Sequence, residues 1–411
     1  MSGSHSHSHA TPPDVEVGRL PRLVLVTGIV LAAVATVIGV VVLWPSADAR
    51  VPPVPYAAEG AETVSAEVVS LSEPCPVIAV DPAVPPTGEQ PVFPENCNEA
   101  TFSVEGESRD VTFQVPPNVI YAGLRAGDAV QLIAFPGVDG QVQYGFLGVD
   151  RDFPIALMAL LFVIVTALVA RLRGLLALLG LVIAGYVLAK FMLPALLAGE
   201  SGFGVALAGS SLIMIVVLYL AHGVSIRTSA ALGGTLIAVL ITAVIGLWGV
   251  DSARLSGIRD DDAELLLLHA PDLSFPGLLA SAMIIAGLGV LNDVTITQTS
   301  AVWELRAAAP EMSRRELFSS GMRIGRDHIA SSIYTIVFAY AGTALVVLML
   351  ISLFDRPLLD LFVDESIGEE VVRTLASATG LVLAVPITTA IAALTVGGPV
   401  RSRAGNGARR A

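Results

Sequence analysis

The chain has 411 residues, of which 54% are hydrophobic and only 14% charged, and its mean hydropathy is +0.75. Soluble domains carry about 25% charged residues, so this composition excludes an ordinary soluble protein and points to one that crosses a membrane several times. A formal net charge of −13 excludes a general nucleic-acid binder, which has to present a basic surface.

Residues 1–22 read as a disordered cytoplasmic head, and the SHSHSH run at 4–9 is at most a weak metal binder. The first apolar run, 23–44, is too long for the core of a signal peptide and has no A-x-A cleavage site, so it reads as a transmembrane anchor. Residues 50–151 are the one long hydrophilic segment. After the stiff VPPVP linker, β-rich runs at 63–71, 77–80, 101–104, 110–115, 129–134 and 141–149 alternate with turn signals such as PPTG, RAGD and GVDG. Short strands at this density predict a small all-β barrel or sandwich, OB-like in character. The segment is acidic, its aromatic residues are not interleaved with arginine, and it has no histidine to act as a base. It reads as a binding or spacer module. It also holds both cysteines, Cys75 and Cys97, which predicts a disulfide if the segment faces an oxidising space.

Seven further apolar runs follow at 153–170, 175–197, 203–221, 230–250, 275–294, 329–354 and 371–396. Each is near the roughly 20 residues a spanning helix needs. With the anchor they predict eight transmembrane helices, an all-α membrane part at 153–396, and a cytoplasmic tail at 397–411. Arginine placement sets the direction. With the N-terminus inside, Arg19, Arg22, Arg171, Arg173, Arg227, Arg306, Arg314, Arg315, Arg323 and Arg326 fall on the inner side, as do the arginines of the tail. The short outer loops keep only Arg254, Arg259, Arg356 and Arg373. This satisfies the positive-inside rule loop by loop and puts both termini in the cytoplasm, with 50–151 outside. The acids at 260–264 and 364–370 read as solvated outer-loop charge, and the first group lacks the spacing of a calcium loop.

The sixth run ends in GLGVLNDVTITQTSAVWEL (287–305), where an apolar helix turns polar. Asp293, Thr297, Ser300 and Glu304 fall at offsets that make one stripe on a helix, while Val294, Ala301 and Leu305 make an apolar one. Pro310 then breaks the helix, and SRRE at 313–316 fits a capping box that starts the next. Two readings stand. The stripe is either a solvated exit or an ordered interior face against the next helix, with Asp293 and Glu304 opposite Arg323 and Arg326. If ordered, it forms either an ion-paired hairpin or a polar cavity or gate lined by Asp293, Thr297, Ser300, Glu304, Arg326 and Asp327.

That stretch, followed by GMRIGRDHIASSIYTIVFAYAG (321–342), resembles the paired signatures of the YibE/F family of bacterial integral membrane proteins. The matching positions are Asp293, Val294, Glu304, Gly325, Arg326, Asp327, Tyr340 and Gly342, and DRDFPIALMAL (150–160) and GVSIRTSAALGGTL (223–236) extend the likeness. The resemblance implies a multi-pass protein of the bacterial inner membrane. It supplies no reaction and no substrate.

Other residues carry less. Lys190, the sole lysine, either snorkels to the outer headgroups or finds a buried partner. Pro194 and Pro386 lie in or near spans. His222, His269 and His328 lie apart and assemble no metal site. The TSA at 228–230 returns at 299–301, too short a match to define a repeat. No Walker, GxSxG or HExxH motif is present, so ATP-driven transport and the commonest hydrolases are disfavoured. The expectation is a transporter or permeation pathway for a small solute or ion, not an enzyme, with no cofactor. The lipid bilayer is its constant partner, no nucleic acid is involved, and a homo-oligomer stays open. The alternative is a non-transporting scaffold or sensor whose outer domain binds an extracytoplasmic protein partner.

Overall fold

The structure is a computed structural model and describes residues 17–46, 60–75, 96–137, 141–258, 261–353 and 363–399. The SHSHSH run, the expected strand at 77–80 and the tail beyond 399 lie outside the described residues. Two compact units divide the chain, residues 53–165 and the remainder.

The first unit is built on a five-stranded antiparallel sheet in the order β3-β2-β1-β4-β5. Its strands are β1 (Glu62–Leu71), β2 (Glu99–Val104), β3 (Val111–Gln114), β4 (Ala129–Pro136) and β5 (Val142–Val149). The central strand β1 pairs with both β2 and β4 and carries an irregularity between Val68 and Ser70. The edge strands β3 and β5 also approach each other, so the sheet curls. Alternation along the strands sends Val68, Phe102, Val130 and Leu132 into one core. A short helix α2 (Pro117–Tyr121) sits between β3 and β4. Cys75 and Cys97 are joined in a disulfide with a Cα–Cα distance of 4.8 Å.

The second unit is helical: α1 (Arg19–Val42), α3 (Asp152–Val187), a π-turn at Leu188–Met192, α4 (Leu193–Leu197), α5 (Gly202–His222), α6 (Ile226–Ser252), α7 (Asp261–His269), α8 (Phe275–Ala308), α9 (Arg314–Thr343), α10 (Leu345–Leu353) and α11 (Glu365–Thr395). The first residues of α3, up to Val165, belong to the sheet unit. Six helices among the described residues are long and apolar enough to cross a membrane, or seven if α9 and α10, bent by 68°, form one span. Eight apolar runs were expected. The difference lies at 153–197, where two expected runs form one helical stretch of 46 residues. That stretch is broken at Arg171, whose φ of 53° and ψ of −140° are not helical. Lys190 sits in the π-turn and is exposed, which fits snorkelling and not a buried partner.

In the helical unit, α8 is surrounded by α5, α6, α9 and α11. Close approach depends on small residues. A side chain at Gly202 would run into the Gly277 backbone, so α5 and α8 touch main chain to main chain. Ser281 Oγ donates to Gly202 O across this contact (2.8 Å) and to its own Gly277 O (2.7 Å).

Candidate functional site

Helix α8 begins with Ser274, whose hydroxyl accepts from Gly277 N, followed by a proline at its first turn. It then runs for 34 residues without interruption, so the polar stretch after Leu291 is continuous helix. The expected stripe does keep to one face, and that face points away from the core. Asp293, Thr297 and Glu304 are exposed and Ser300 is half-buried. Arg326 and Asp327 on α9 are exposed too.

The stripe is held from two sides. Thr297 Oγ1 folds back onto Asp293 O at 2.7 Å. The nearest ionic partner of Asp293 is His328, at 3.7 Å, and not Arg326 as the sequence reading had it. Helical geometry explains the difference: Arg326 and His328 are two positions apart and so project about 200° apart around α9. Among the described residues Arg326 and Asp327 have no ionic partner. At the far end of the stripe, Arg227 at the start of α6 lies 3.9 Å from Glu304 and donates to Ser300 Oγ. The six residues expected to line one cavity are therefore not brought together: Asp293, Thr297, Ser300 and Glu304 lie along the outer face of α8, whose end Arg227 of α6 bridges, and Arg326 and Asp327 are exposed on α9.

The buried polar groups lie on the adjacent face of α8. Leu291, Val294, Thr295, Gln298, Thr299 and Val302 point inward. Gln298 Nε2 donates to Gly321 O of α9 (2.7 Å) and to Thr389 Oγ1 of α11 (2.8 Å). Thr389 in turn donates to Val385 O. Thr295 and Thr235 of α6 share a hydrogen bond at 2.7 Å. Gly321 and Gly325, four apart on α9, let that helix approach. A methyl on Gly325 would stand 2.5 Å from Val385 Cγ1 and 3.1 Å from Gln298 Oε1. The Gly-x-x-x-Gly spacing thus serves to seat α9 against the Gln298 amide.

A seam of hydroxyls continues this layer through α6, α8 and α11. Thr242, Thr299, Ser377 and Thr388 are all buried, and their hydroxyls have no hydrogen-bond partner among the described residues. Ser377 borders a cavity of about 140 Å³ between α8, α9 and α11 that also touches Gly287, Thr335 and Tyr340. A larger cavity of about 520 Å³, between α1, α6 and α11, has an almost wholly apolar lining and suits a lipid chain. No group of three His, Cys, Asp or Glu able to hold a metal occurs among the described residues.

Sequence reasoning missed Gln298, the threonine seam and Arg306. Arg306 is buried, and its Nη1 donates to Pro310 O (2.9 Å) and Met312 O (2.8 Å), fastening the α8–α9 turn. For Gln298 and Thr299 a signal was present in the i, i+3, i+4 spacing they share with Leu291, Val294, Thr295 and Val302.

A family model described as YibE/F-like protein matches residues 158–398. This region takes in α5, α6, α8, α9 and α11 with the whole polar seam. No curated protein and no solved structure matches the chain. With more than half of its length under that model, the chain belongs to the YibE/F-like family.

Proposed function

We propose that this membrane protein carries a small solute or ion across the bacterial inner membrane through the layer between α6, α8 and α11. The observation that carries the reading is the set of unpartnered hydroxyls in that layer. A helical threonine can always satisfy itself on the carbonyl four residues back, as Thr235, Thr389 and Thr395 do. Burying a hydroxyl without a partner costs about 1–3 kcal/mol, and alanine or valine would pack helices without that cost. Two of them, Thr388 and Thr242, rest in the notches of Gly234 and Gly380 at the α6–α11 crossing, and hydroxyls released when that crossing opens can replace the hydration of a passing solute. The exposed stripe from Asp293 to Glu304 then forms the cytoplasmic rim.

The topology belongs to the same proposal: eight spans, both termini in the cytoplasm and the sheet unit outside. The break at Arg171 supports the count. Forty-six helical residues would extend about 69 Å, more than twice the roughly 30 Å hydrocarbon core, and the break falls beside the paired arginines Arg171 and Arg173. The outer unit is an OB-like barrel, supported by the sheet order, the approach of β3 to β5 and the helix between β3 and β4.

The test is flux into liposomes reconstituted with the purified protein, across a panel of ions and small metabolites. Flux above protein-free liposomes for one chemical class is expected, and no flux for any member contradicts the proposal. The second reading, a scaffold or sensor, is favoured by one observation: the sheet unit has its own core and compactness. It predicts a protein that moves nothing and whose sheet unit retains an external partner.

A further inference from the structure

The helical unit repeats itself in reverse. RTSAALGGTLIAVLITAVI (227–245, α6) returns as RTLASATGLVLAVPITTAI (373–391, α11), with R-T-x-A-x-x-x-G-x-x-x-A-V-x-I-T-x-x-I common to both. SSLIMIVVLY (210–219, α5) returns as SSIYTIVFAY (331–340, α9), sharing S-S-x-x-x-I-V-x-x-Y. The order is kept, α5 before α6 and α9 before α11.

Packing supplies evidence independent of these letters. Gly234 of α6 receives Thr388 of α11, and Gly380 of α11 receives Thr242 of α6. Gly234 and Gly380 are equivalent positions in the two strings, and so are Thr242 and Thr388. Exchanging the helices converts one contact into the other, as a two-fold axis does. The axis passes between the equivalent residues Ala238 and Ala384, both fully buried. Helix directions agree. Helix α8 is antiparallel to α6, through Thr235–Thr295 and Gly246–Met283, and parallel to α11, through Ser377–Gly287 and Thr389–Gln298. The N-termini of α5 and α8 meet at Gly202 and Gly277, whereas α9 runs against α8 through Gly321–Gln298 and His328–Asp293.

The two copies differ at equivalent places. Arg227 reaches from α6 to Ser300 and Glu304 of α8. Its equivalent, Arg373, stays on its own helix, 3.4 Å from Glu370. Tyr219 is bonded to Ser229 at 2.9 Å, whereas its equivalent, Tyr340, borders the 140 Å³ cavity beside Ser377. One end of the repeat is filled and latched to α8 by a side-chain ion pair. At the other a cavity opens, no arginine reaches α8 among the described residues, and the tie is instead Glu365 of α11, which accepts from Ser256 N and Gly257 N beyond α6.

We infer that α5–α6 and α9–α11 form an inverted repeat whose two halves exchange conformations about the Ala238–Ala384 axis, with Arg227, Ser300 and Glu304 as the latch of the cytoplasmic gate. The inference rests on the transport reading above. Inverted repeats of this kind place the solute site at the repeat interface and open it alternately to the two sides. Packed helices shift between discrete arrangements and do not deform continuously.

Thiol accessibility in the full-length protein tests the inference. Ala231 and Ser377 are equivalent positions, and the native cysteines are joined to each other and silent. Both positions are buried, but only Ser377 borders the cavity, so Ser377→Cys reacts faster with a charged methanethiosulfonate than Ala231→Cys. Breaking the latch with Arg227→Ala, or from its exposed side with Glu304→Ala, reverses that ranking. An unchanged ranking in both latch variants, or a joint rise at both cysteines, overturns the inference. The readout needs no flux, so the two ideas separate. Reversal without flux of any solute leaves the repeat standing and removes transport, whereas flux without reversal does the opposite.

Discussion

Two glycines of one helix give the sharpest test of the packing. Gly325 and Gly342 both lie in α9. In either position alanine gains about 1 kcal/mol of helix propensity. At Gly342 a methyl meets nothing within 4 Å, so that gain stands alone and Gly342→Ala is neutral or stabilising. At Gly325 the methyl falls 2.5 Å from Val385 Cγ1 and 3.1 and 3.2 Å from the Gln298 amide atoms. Val385 is fully buried and β-branched, so it has no free rotamer to yield. Overpacking of this kind costs about 1–3 kcal/mol. Pushing Gln298 off Gly321 O and Thr389 Oγ1 forfeits about 1–2 kcal/mol more. The net expectation for Gly325→Ala is a loss of about 1–4 kcal/mol once the propensity gain is subtracted. The assay is the thermal midpoint of purified protein in detergent, read as the fraction remaining monodisperse after heating. Equal midpoints for Gly325→Ala and Gly342→Ala would refute the packing of α9 on Gln298.

Gln298→Leu keeps the volume and removes both hydrogen bonds. Neither partner is stranded, because Gly321 O lies within a helix and Thr389 still donates to Val385 O, so the cost is about 1–3 kcal/mol. Combined with Thr389→Val in a thermal-stability cycle, the change is expected to be less than additive. Asp293 is 67% exposed, and Asp293→Asn is expected to cost about 0–1 kcal/mol. A loss several times larger would return the stripe to the protein interior. For orientation, Ser108→Cys in the sheet unit is expected to react with an impermeant maleimide on intact cells, whereas Val224→Cys in the α5–α6 turn reacts only after permeabilisation. The reverse pattern would invert the topology.

Much of this architecture is legible in the residues because it follows from local rules. Pro310 and the Ser313–Glu316 box mark the α8–α9 turn, and both capping hydrogen bonds are formed. The alternating runs in 62–149 register as strands because one side of the sheet is buried. What resisted reading is tertiary. The offsets of Asp293, Thr297, Ser300 and Glu304 define a stripe, but offsets alone do not say whether it faces inward. That is settled by α11 and α9, whose Thr389 and Gly321 draw Gln298 to the inside. Arg306 offered no local sign either, since its partners are carbonyls four and six residues on, in the turn that follows the helix. The inverted repeat is visible in the letters, but the shared positions are small apolar residues common in any membrane helix. The reciprocal Gly234–Thr388 and Gly380–Thr242 contacts give those letters their meaning.

The central claim is that a solute passes through the threonine layer. The most direct measurement is flux into proteoliposomes by wild type and by the Thr242→Val, Thr388→Val double variant, which keeps side-chain shape and removes two unpartnered hydroxyls. The account predicts that the double variant stays folded, with an unchanged or higher thermal midpoint, and loses at least about tenfold in flux, the equivalent of one hydrogen bond to the solute. Flux equal to wild type in a protein of equal stability would contradict it.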